Sequence, residues 1–443
     1  MNIQLSEHFT YSKLLRFTLP SIVMMIFTSI YGVVDGYFVS NYVGKTPFAA
    51  VNFIMPFLMV LGAVGFMLGT GGSALISKTM GEGDRDKAKR IFSLLVYVGA
   101  ALGIVIAALG IIFIEPVAVL LGAEGDMLAD CVLYGRIILL ALPALLLQFE
   151  FQTYFVTAEK PQLGLAVTVA AGVTNMVLDW LFMAVFQWGI VGAASATAIS
   201  QAVGGITPLF YFASDNSSLL RLTKTRIDGR VLLKTCTNGS SELMSNISMS
   251  IVGMLYNVQL MKYAGEDGVA AYGVLMYVNF IFISAFIGYS VGTAPVVGYH
   301  FGALNKAELK NLLKRSAVII GIFSVCMLAL GQLLAQPLSA LFVGYDEALM
   351  DMTLRGFRIF SFSFLFAGTA IYGSAFFTAL NDGLTSALIS FLRTLVFQIA
   401  AVLILPVFFD IDGIWLSVVA AEVVAASVTL AFLFGKRKKY GYM

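Results

Sequence analysis

Long apolar runs separated by short polar breaks cover almost the whole chain. Each run holds about 20 residues or more, the length that a helix needs to cross the hydrocarbon core of a bilayer. The runs of the first half predict helices at 14–40, 48–76, 91–114, 132–157, 163–186 and 190–213. Those of the second half predict helices at 238–262, 270–298, 316–336, 354–380, 384–408 and 413–435. The pattern therefore predicts twelve transmembrane helices and no sizeable soluble domain.

The composition supports a polytopic membrane protein rather than a soluble protein with an anchor. Of the 443 residues, 59% are hydrophobic and 12% are charged, with a mean hydropathy of +0.90. Soluble domains carry about 25% charged residues. The amino terminus lacks the charged region, short apolar stretch and cleavage site of a secretory signal peptide. We therefore expect an all-α polytopic membrane protein without a signal peptide.

The basic residues predict the orientation, because cytoplasmic loops are enriched in Lys and Arg. If both termini are cytoplasmic, the inner segments hold 21 of the 27 basic residues. The outer segments then hold five: Lys45, Arg136, Lys262, Arg355 and Arg358. We therefore expect a multi-pass protein of the cell (plasma) membrane with both termini in the cytoplasm, and call the helix ends inner and outer accordingly. The basic "KRKK" near the carboxy terminus is interpreted as an inner-surface anchor, and no nucleic acid partner is expected.

The second half of the chain repeats the first. A shift of 221 residues aligns many identical residues without a gap. The matches include Ser29 with Ser250, Gly32 with Gly253, Gly71 with Gly292, Gly81 with Gly302, and Phe155 with Phe376. Because six helices per half is an even number, both halves enter the membrane in the same sense, as parallel repeats about an axis along the membrane normal. We predict two six-helix bundles related by a pseudo-two-fold axis, an amino-terminal half (1–220) and a carboxy-terminal half (221–443), with a cavity between them.

The acidic residues break this symmetry. Asp35, the only acid of the first predicted helix, aligns with Tyr256 in the second half. The stretch "TNMVLDW" places Asn175 and Asp179 one helical turn apart on one face, whereas the aligned stretch near 396–403 is almost entirely apolar. An ionised carboxylate inside a bilayer costs at least a few kcal/mol, so such residues are rarely there by chance. The amino-terminal half is therefore the candidate for ion chemistry.

Depth along the helices places three polar groups at one level. At the rise of an α-helix, Asp35 lies roughly 8 Å from the outer end of the first predicted helix. Asp179 and Thr197 lie roughly 10 Å from the outer ends of the fifth and sixth. Together they could share a proton or coordinate a small cation. The structural alternative is that Asp35 caps a frayed helix end near water and that Asp179 merely bonds Asn175.

Other embedded polar residues are candidates for the cavity or for helix packing. Tyr31, Glu150, Gln152 and Tyr256 are candidates for lining the cavity or contacting a substrate, although helix packing explains Glu150 equally well. Arg393 and Glu422 fall at similar depth in the last two predicted helices, which predicts an ion pair. The scattered cysteines and the two histidines predict neither a metal site nor a catalytic site.

Five motifs follow one another along the chain. They are "FTLPSIV" (17–23), "YGVVDGYFVS" (31–40), "GTGGSALISKTMGEGDRDKAKRIF" (69–92), "TNMVLDWLF" (174–182) and "WGIVGAASATAIS" (188–200). In this order they resemble the motifs of the multidrug and toxic compound extrusion (MATE) family, most closely its prokaryotic DinF-like branch. The resemblance covers nearly the whole chain, and the order of the motifs is more specific than any one of them.

The resemblance implies a secondary active antiporter that exports organic, often cationic, drug-like compounds in exchange for protons or sodium ions by alternating access. It implies an ion-coupling site at Asp35, at Asn175 and Asp179 of the N-x-x-L-D motif, and at Thr197. A polar residue of the fourth helix also contributes in that branch, and Glu150 and Gln152 are the nearest equivalents. Sodium-coupled relatives also place acids in the seventh and tenth helices. Here Glu242 alone lies near the start of the seventh, which favours coupling through the amino-terminal half.

Other functions fit the sequence less well. A lipid-linked oligosaccharide flippase of the same superfamily is the nearest alternative, but its anionic cargo calls for several embedded bases. This sequence embeds one base against about five acids. We find no motif of a membrane enzyme and expect no enzymatic activity, no cofactor beyond the coupling ion, and function as a monomer within the lipid bilayer. A receptor or scaffold without transport stays an open alternative.

The predicted orientation can be tested by cysteine labelling in a variant without native cysteines. An impermeant reagent added from outside should label positions in 346–351, and positions in 221–230 should react only after the membrane is permeabilised. The opposite pattern would overturn the orientation.

Overall fold

The described residues of the computed structural model, 3–443 apart from the side chain of Lys45, form helices, with no strand among them. Met1, Asn2 and that side chain lie outside the described part. The amino-terminal half contains α1 Tyr11–Tyr42, α2 Lys45–Gly81, α3 Arg85–Leu121, α4 Gly125–Thr157, α5 Pro161–Asp179 and α6 Gly189–Ala213. The carboxy-terminal half contains α7 Gly229–Gly302, α8 Lys306–Val343, α9 Glu347–Phe360, α10 Phe364–Ala379, α11 Gly383–Phe391 and α12 Phe397–Tyr440. Within the described residues, ten helical stretches are long and apolar enough to cross a membrane.

Two of these helices fold back on themselves. In α7, Gly265 has non-helical backbone angles, and the rings of Tyr256 and Tyr272 stack with centroids 5.2 Å apart. In a straight helix these two residues would be about 24 Å apart along the axis. In α12, Asp410 has non-helical angles, and a Cβ on Gly413 would lie 2.4 Å from the carbonyl oxygen of Leu405. Both reversals fall in predicted outer loops, so they favour the twelve-helix count, which stays a prediction.

The apolar core is shared between the halves at the inner end and divided at the outer end. One cluster of buried residues draws on both halves, with members such as Phe92 and Phe155 on one side and Val296 and Phe377 on the other. Toward the outer end there are two separate clusters, one built from α1–α6 and one built from α7–α12. The two halves therefore pack together at the inner end.

Glycines allow this contact between the halves. A Cβ on Gly71 of α2 would lie 2.1 Å from the carbonyl oxygen of Thr235 in α7, and one on Gly239 would lie 1.9 Å from the carbonyl oxygen of Met67. No side chain fits at either distance, so the two backbones touch directly. Toward the outer end, a Cβ on Gly32 or Gly253 would meet no atom within 4 Å. The structure is therefore closed between the halves at the inner end and open at the outer end.

The predicted pair between Arg393 and Glu422 is confirmed. The Arg393 Nε donates to both carboxylate oxygens at 3.0 and 2.9 Å, and Nη2 donates to Oε1 at 2.8 Å. The side chains are 15% and 5% exposed. Arg393 lies in a π-helical segment, Leu392–Val396, that joins α11 to α12.

We expect this pair to show strong coupling in a double-mutant cycle on the detergent-solubilised protein. Arg393→Met alone should lower the free energy of unfolding by about 3–5 kcal/mol, because it leaves the Glu422 carboxylate buried without a partner. Adding Glu422→Leu should recover most of that loss. If the two single effects simply add, the ion pair does not stabilise the fold.

Candidate functional site

Three helices of the amino-terminal half bring the predicted site residues together. The Asp35 carboxylate of α1 faces the side chains of Asp179 and Asn175 in α5 and of Thr197 in α6. The Thr197 Oγ1 lies 3.5 Å from the Asp35 Oδ1, at the outer limit of a hydrogen bond. The four residues that the sequence singled out for ion coupling thus lie in one cluster, although their role stays a prediction.

The local geometry of α5 presents Asp179 at a change in the helix. The α-helical part ends at Asp179, and the chain continues as a π-helical segment, Trp180–Val185. Such wider turns are rare and occur frequently at functional sites. Asn175 lies one turn earlier, so the amide and the carboxylate project from the same face toward α1.

The polar atoms of α5 in this cluster have no hydrogen-bond partners. Asn175 is 1% exposed and Asp179 is fully buried. Neither carboxylate oxygen of Asp179 and neither polar atom of the Asn175 amide has a partner that meets hydrogen-bond geometry, although both side chains face Asp35. Unpaired buried polar groups cost free energy, and two adjacent carboxylates cannot both stay charged cheaply. A proton or a small cation between them would remove both costs.

Tyr134 of α4 belongs to the cluster, and the sequence did not reveal it. Its side chain is 1% exposed, its hydroxyl faces Thr197, and it lies near both Asp35 and Asp179. The predicted fourth helix began at residue 132, which placed Tyr134 at the membrane surface. The helix begins at Gly125, about 13 Å before Tyr134 along its axis, so Tyr134 reaches the level of the acids.

Glu150, a candidate for the cavity, lies elsewhere in the structure. Its carboxylate is fully buried without hydrogen-bond partners and points at α3, where a Cβ on Gly99 would lie 1.8 Å from Oε1. It therefore lies between helices and away from the Asp35 cluster. Its role as a cavity or substrate residue finds no support in this geometry and stays a prediction.

Tyr31 and Gln152 belong to a line of polar side chains that extends from the cluster toward the inner end. The Tyr31 side chain faces Gln148 and lies near Asp35. Gln148, Gln152 and Thr168 line a small cavity of about 10 Å³ between α4, α5 and α6. Neither polar atom of the Gln152 amide has a hydrogen-bond partner. This line of polar side chains extends from the acids toward the inner end of the amino-terminal half.

Tyr256 is packed inside the carboxy-terminal half. It is 1% exposed, stacks on Tyr272, and donates a hydrogen bond of 2.7 Å from its hydroxyl to the Gln398 Oε1. At the position aligned with Asp35, the second half thus has a satisfied structural hydrogen bond. A substrate contact by Tyr256 stays a prediction.

Known proteins are similar to this chain over nearly its whole length. A model of the MatE family matches residues 20–181 and 243–404, one range in each half. The Multidrug export protein MepA of Staphylococcus saprophyticus is 26% identical over 431 residues, which cover 96% of this chain and 93% of that protein. A solved outward-facing conformation of a multidrug resistance MATE family transporter of the MOP superfamily has a TM-score of 0.94 at 22% identity, over 100% of this chain and 99% of the other. A crystal structure of MATE in complex with MaL6 has a TM-score of 0.93 at 22% identity, over 98% of both chains.

The cluster predicts an unusual response of stability to mutation. Asp179→Asn keeps the shape of the side chain and removes a buried group that can carry an unpaired charge, so the melting temperature should stay the same or rise. Tyr256→Phe should lower the free energy of unfolding by about 1–3 kcal/mol, because it leaves the Gln398 oxygen unpaired. Thermal unfolding in detergent measures both. A clear loss of stability in Asp179→Asn would show that the carboxylate serves the fold.

Proposed function

The chain belongs to the MatE family of multidrug and toxic compound extrusion transporters, and we propose that it exports organic, hydrophobic cationic compounds in exchange for protons or sodium ions. The observation that carries this proposal is the buried, unpaired face of Asn175 and Asp179 opposite Asp35. A group of this kind inside a membrane is expensive unless its charge changes during function. Transport of an ion supplies that change.

The proposed architecture is two six-helix bundles that rock against each other around a central site. The reversals at Gly265 and Asp410 support twelve membrane crossings, and the family match in two ranges supports a duplicated half. The inner contact between α2 and α7 would open as the outer side closes. With both termini in the cytoplasm, the state described here has its opening toward the outside.

In the proposed cycle, the acids bind an ion from outside and lose it inside, while cargo moves the other way. Asp35 and Asp179 hold the ion, Asn175 and Thr197 supply neutral oxygens, and Tyr134 fixes the position of Thr197. One charge that enters down a potential of 100 mV releases about 2.3 kcal/mol. That free energy supports roughly a 50-fold gradient of a neutral cargo, since about 1.4 kcal/mol corresponds to tenfold. For a cargo with one positive charge, one-for-one exchange moves no net charge, and the concentration gradient of the ion drives export.

Export of an anionic, lipid-linked cargo fits this chain poorly. Arg393 is the one base that lies deep within a predicted helix rather than near an end, and its guanidinium is engaged by Glu422. A pyrophosphate needs free Arg or Lys side chains in the cavity. The acid cluster instead favours a cargo that is neutral or positively charged.

Proteoliposomes that contain the purified protein test the proposal. Uptake of a fluorescent cation should follow an imposed proton or sodium gradient, applied one at a time to identify the ion. Asp35→Asn and Asp179→Asn should abolish gradient-driven uptake at normal protein levels, because neither amide can bind and release the ion.

Asp130→Asn is the matched control. Asp130 lies in α4 near the same outer end but does not face the cluster, so this variant should transport like the wild type. If Asp35→Asn and Asp179→Asn also concentrate the cation at the wild-type rate, the acids are structural and the proposed coupling is wrong.

A further inference from the structure

The chain segment before α1 joins the two halves at the inner end. We call residues 3–10 the strap. The backbone N–H of Leu5 donates a hydrogen bond of 2.6 Å to Glu159, in the loop between α4 and α5 of the amino-terminal half. Three residues further on, the strap contacts Glu308, in the first turn of α8 in the carboxy-terminal half. The strap therefore spans the closed contact between the halves.

Glu308 holds the strap with both carboxylate oxygens. The backbone N–H of Phe9 donates to Oε1 at 2.9 Å, and the His8 Nδ1 lies 2.7 Å from Oε2. Asn311, one turn along α8, donates from Nδ2 to the same Oε1 at 2.8 Å and to the carbonyl oxygen of Phe9 at 3.0 Å. Hydrogen bonds to an ionised group are about twice as strong as neutral ones, so this is a firm attachment.

Two apolar side chains anchor the same segment. Leu5 and Phe9 are fully buried and belong to the core cluster that both halves share. The Phe9 ring also meets Phe17 of α1 edge to face, with centroids 5.9 Å apart. Separation of the halves at the inner end would therefore require either the strap or Glu308 to release these contacts.

The two histidines of the chain both lie beside Glu308. His300, at the inner end of α7, is 2% exposed, and burial lowers its pKa, although the Glu308 charge opposes that shift. Burial therefore favours its neutral form. The His8 side chain is 62% exposed and in contact with solution. Histidine is the side chain whose charge changes between pH 5 and 8.

The charge on Glu308 is constant over that range. Partial burial raises the pKa of its carboxyl, but the hydrogen bonds from Phe9, His8 and Asn311 outweigh burial, and the pKa lies below its usual value. Other charges near the contact are already engaged. Glu7 of the strap pairs with Lys13 of α1 at 2.6 Å, and the Arg315 Nε donates to Asn311 at 2.5 Å. The charge of His8 is thus the variable part of the contact.

We propose that the strap and Glu308 form a lock that holds the inner end of the transporter closed, and that protonation of His8 tightens it. With a protonated His8 the contact is an ion pair between the imidazolium and the Glu308 carboxylate, and with a neutral His8 it is a hydrogen bond from an uncharged imidazole to that carboxylate. An acidified cytoplasm would then slow inward opening and with it the transport cycle. The lock rests on the proposed rocking of the halves, but not on which ion is coupled.

Distances between spin labels at Lys87 and Lys310 measure the lock directly. Both residues are exposed at the inner ends of the two halves, on α3 and α8. Double electron–electron resonance would be recorded at pH 6 and pH 8 in a background without native cysteines and with both Asp35→Asn and Asp179→Asn, which together remove titration at the proposed ion site. The ratio of closed to open populations should rise between about 1.5-fold and fivefold from pH 8 to pH 6, as for a half-exposed ion pair.

Variants at both partners separate the parts of the lock. Glu308→Ala should lower the closed-to-open ratio about tenfold or more, since it removes charged hydrogen bonds. Glu308→Gln should lower it less and remove the response to pH. His8→Gln should give the wild-type closed-to-open ratio at pH 8, and this ratio should not rise at pH 6. His8→Arg should give a high closed-to-open ratio at both pH values. Asp86→Ala, which breaks an exposed pair with Lys89 within one half, should change nothing.

Two outcomes would overturn the lock. If Glu308→Gln and the wild type give the same distance distributions at both pH values, the strap does not hold the halves. If His8→Gln keeps the full response to pH, the histidine does not tune the contact. Neither measurement depends on ion-driven uptake, so failure of the proposed coupling would leave these results intact.

Discussion

The backbone contact between α2 and α7 at the inner end is the constraint on which the rest of the structure depends. It requires glycine at Gly71 and Gly239, because any side chain there would push the helices apart. The contact ties the halves together at one end only, and the separate outer cores leave the other end open. A membrane transporter needs this kind of hinged asymmetry, because one end must close while the other is open.

Within this frame, the halves use their charged residues in opposite ways. The carboxy-terminal half satisfies its embedded charge internally, through the bidentate pair of Arg393 and Glu422. The amino-terminal half leaves Asp179 buried without a partner, opposite Asp35. A satisfied pair is fixed, whereas an unsatisfied acid can gain and lose an ion. We therefore expect the carboxy-terminal half to serve as a scaffold and the amino-terminal half to hold the candidate ion site.

The sequence predicted those features that depend on position along a helix axis. Apolar run length located the helices, and counting residues from predicted helix ends placed Asp35, Asp179 and Thr197 at one level. The same counting paired Arg393 with Glu422. These inferences need only the fixed rise of the α-helix, which tertiary packing does not change.

Features that depend on rotation about a helix axis, or on segments outside the helices, could not be predicted in this way. Glu150 lies about 24 Å from Tyr134 along the axis of α4 and points at Gly99 of α3, a direction that only packing decides. The sequence did not reveal Tyr134, because α4 begins at Gly125, before the apolar run from which its start was predicted. The strap carries no periodic pattern, and its attachment to Glu308 joins residues about 300 positions apart.

The most direct test of the central claim, that Asp35 and Asp179 couple ion movement to cargo movement, is ion release on cargo binding in the absence of any gradient. The purified protein in a weakly buffered, sodium-free detergent solution would be titrated with a cationic cargo while a pH indicator records released protons, and the titration repeated with sodium and a sodium-sensitive indicator. The account predicts that saturating cargo releases about one ion per protein from the wild type, and none from a variant in which both aspartates are asparagine. Saturable cargo binding to the wild type without release of either ion would contradict it.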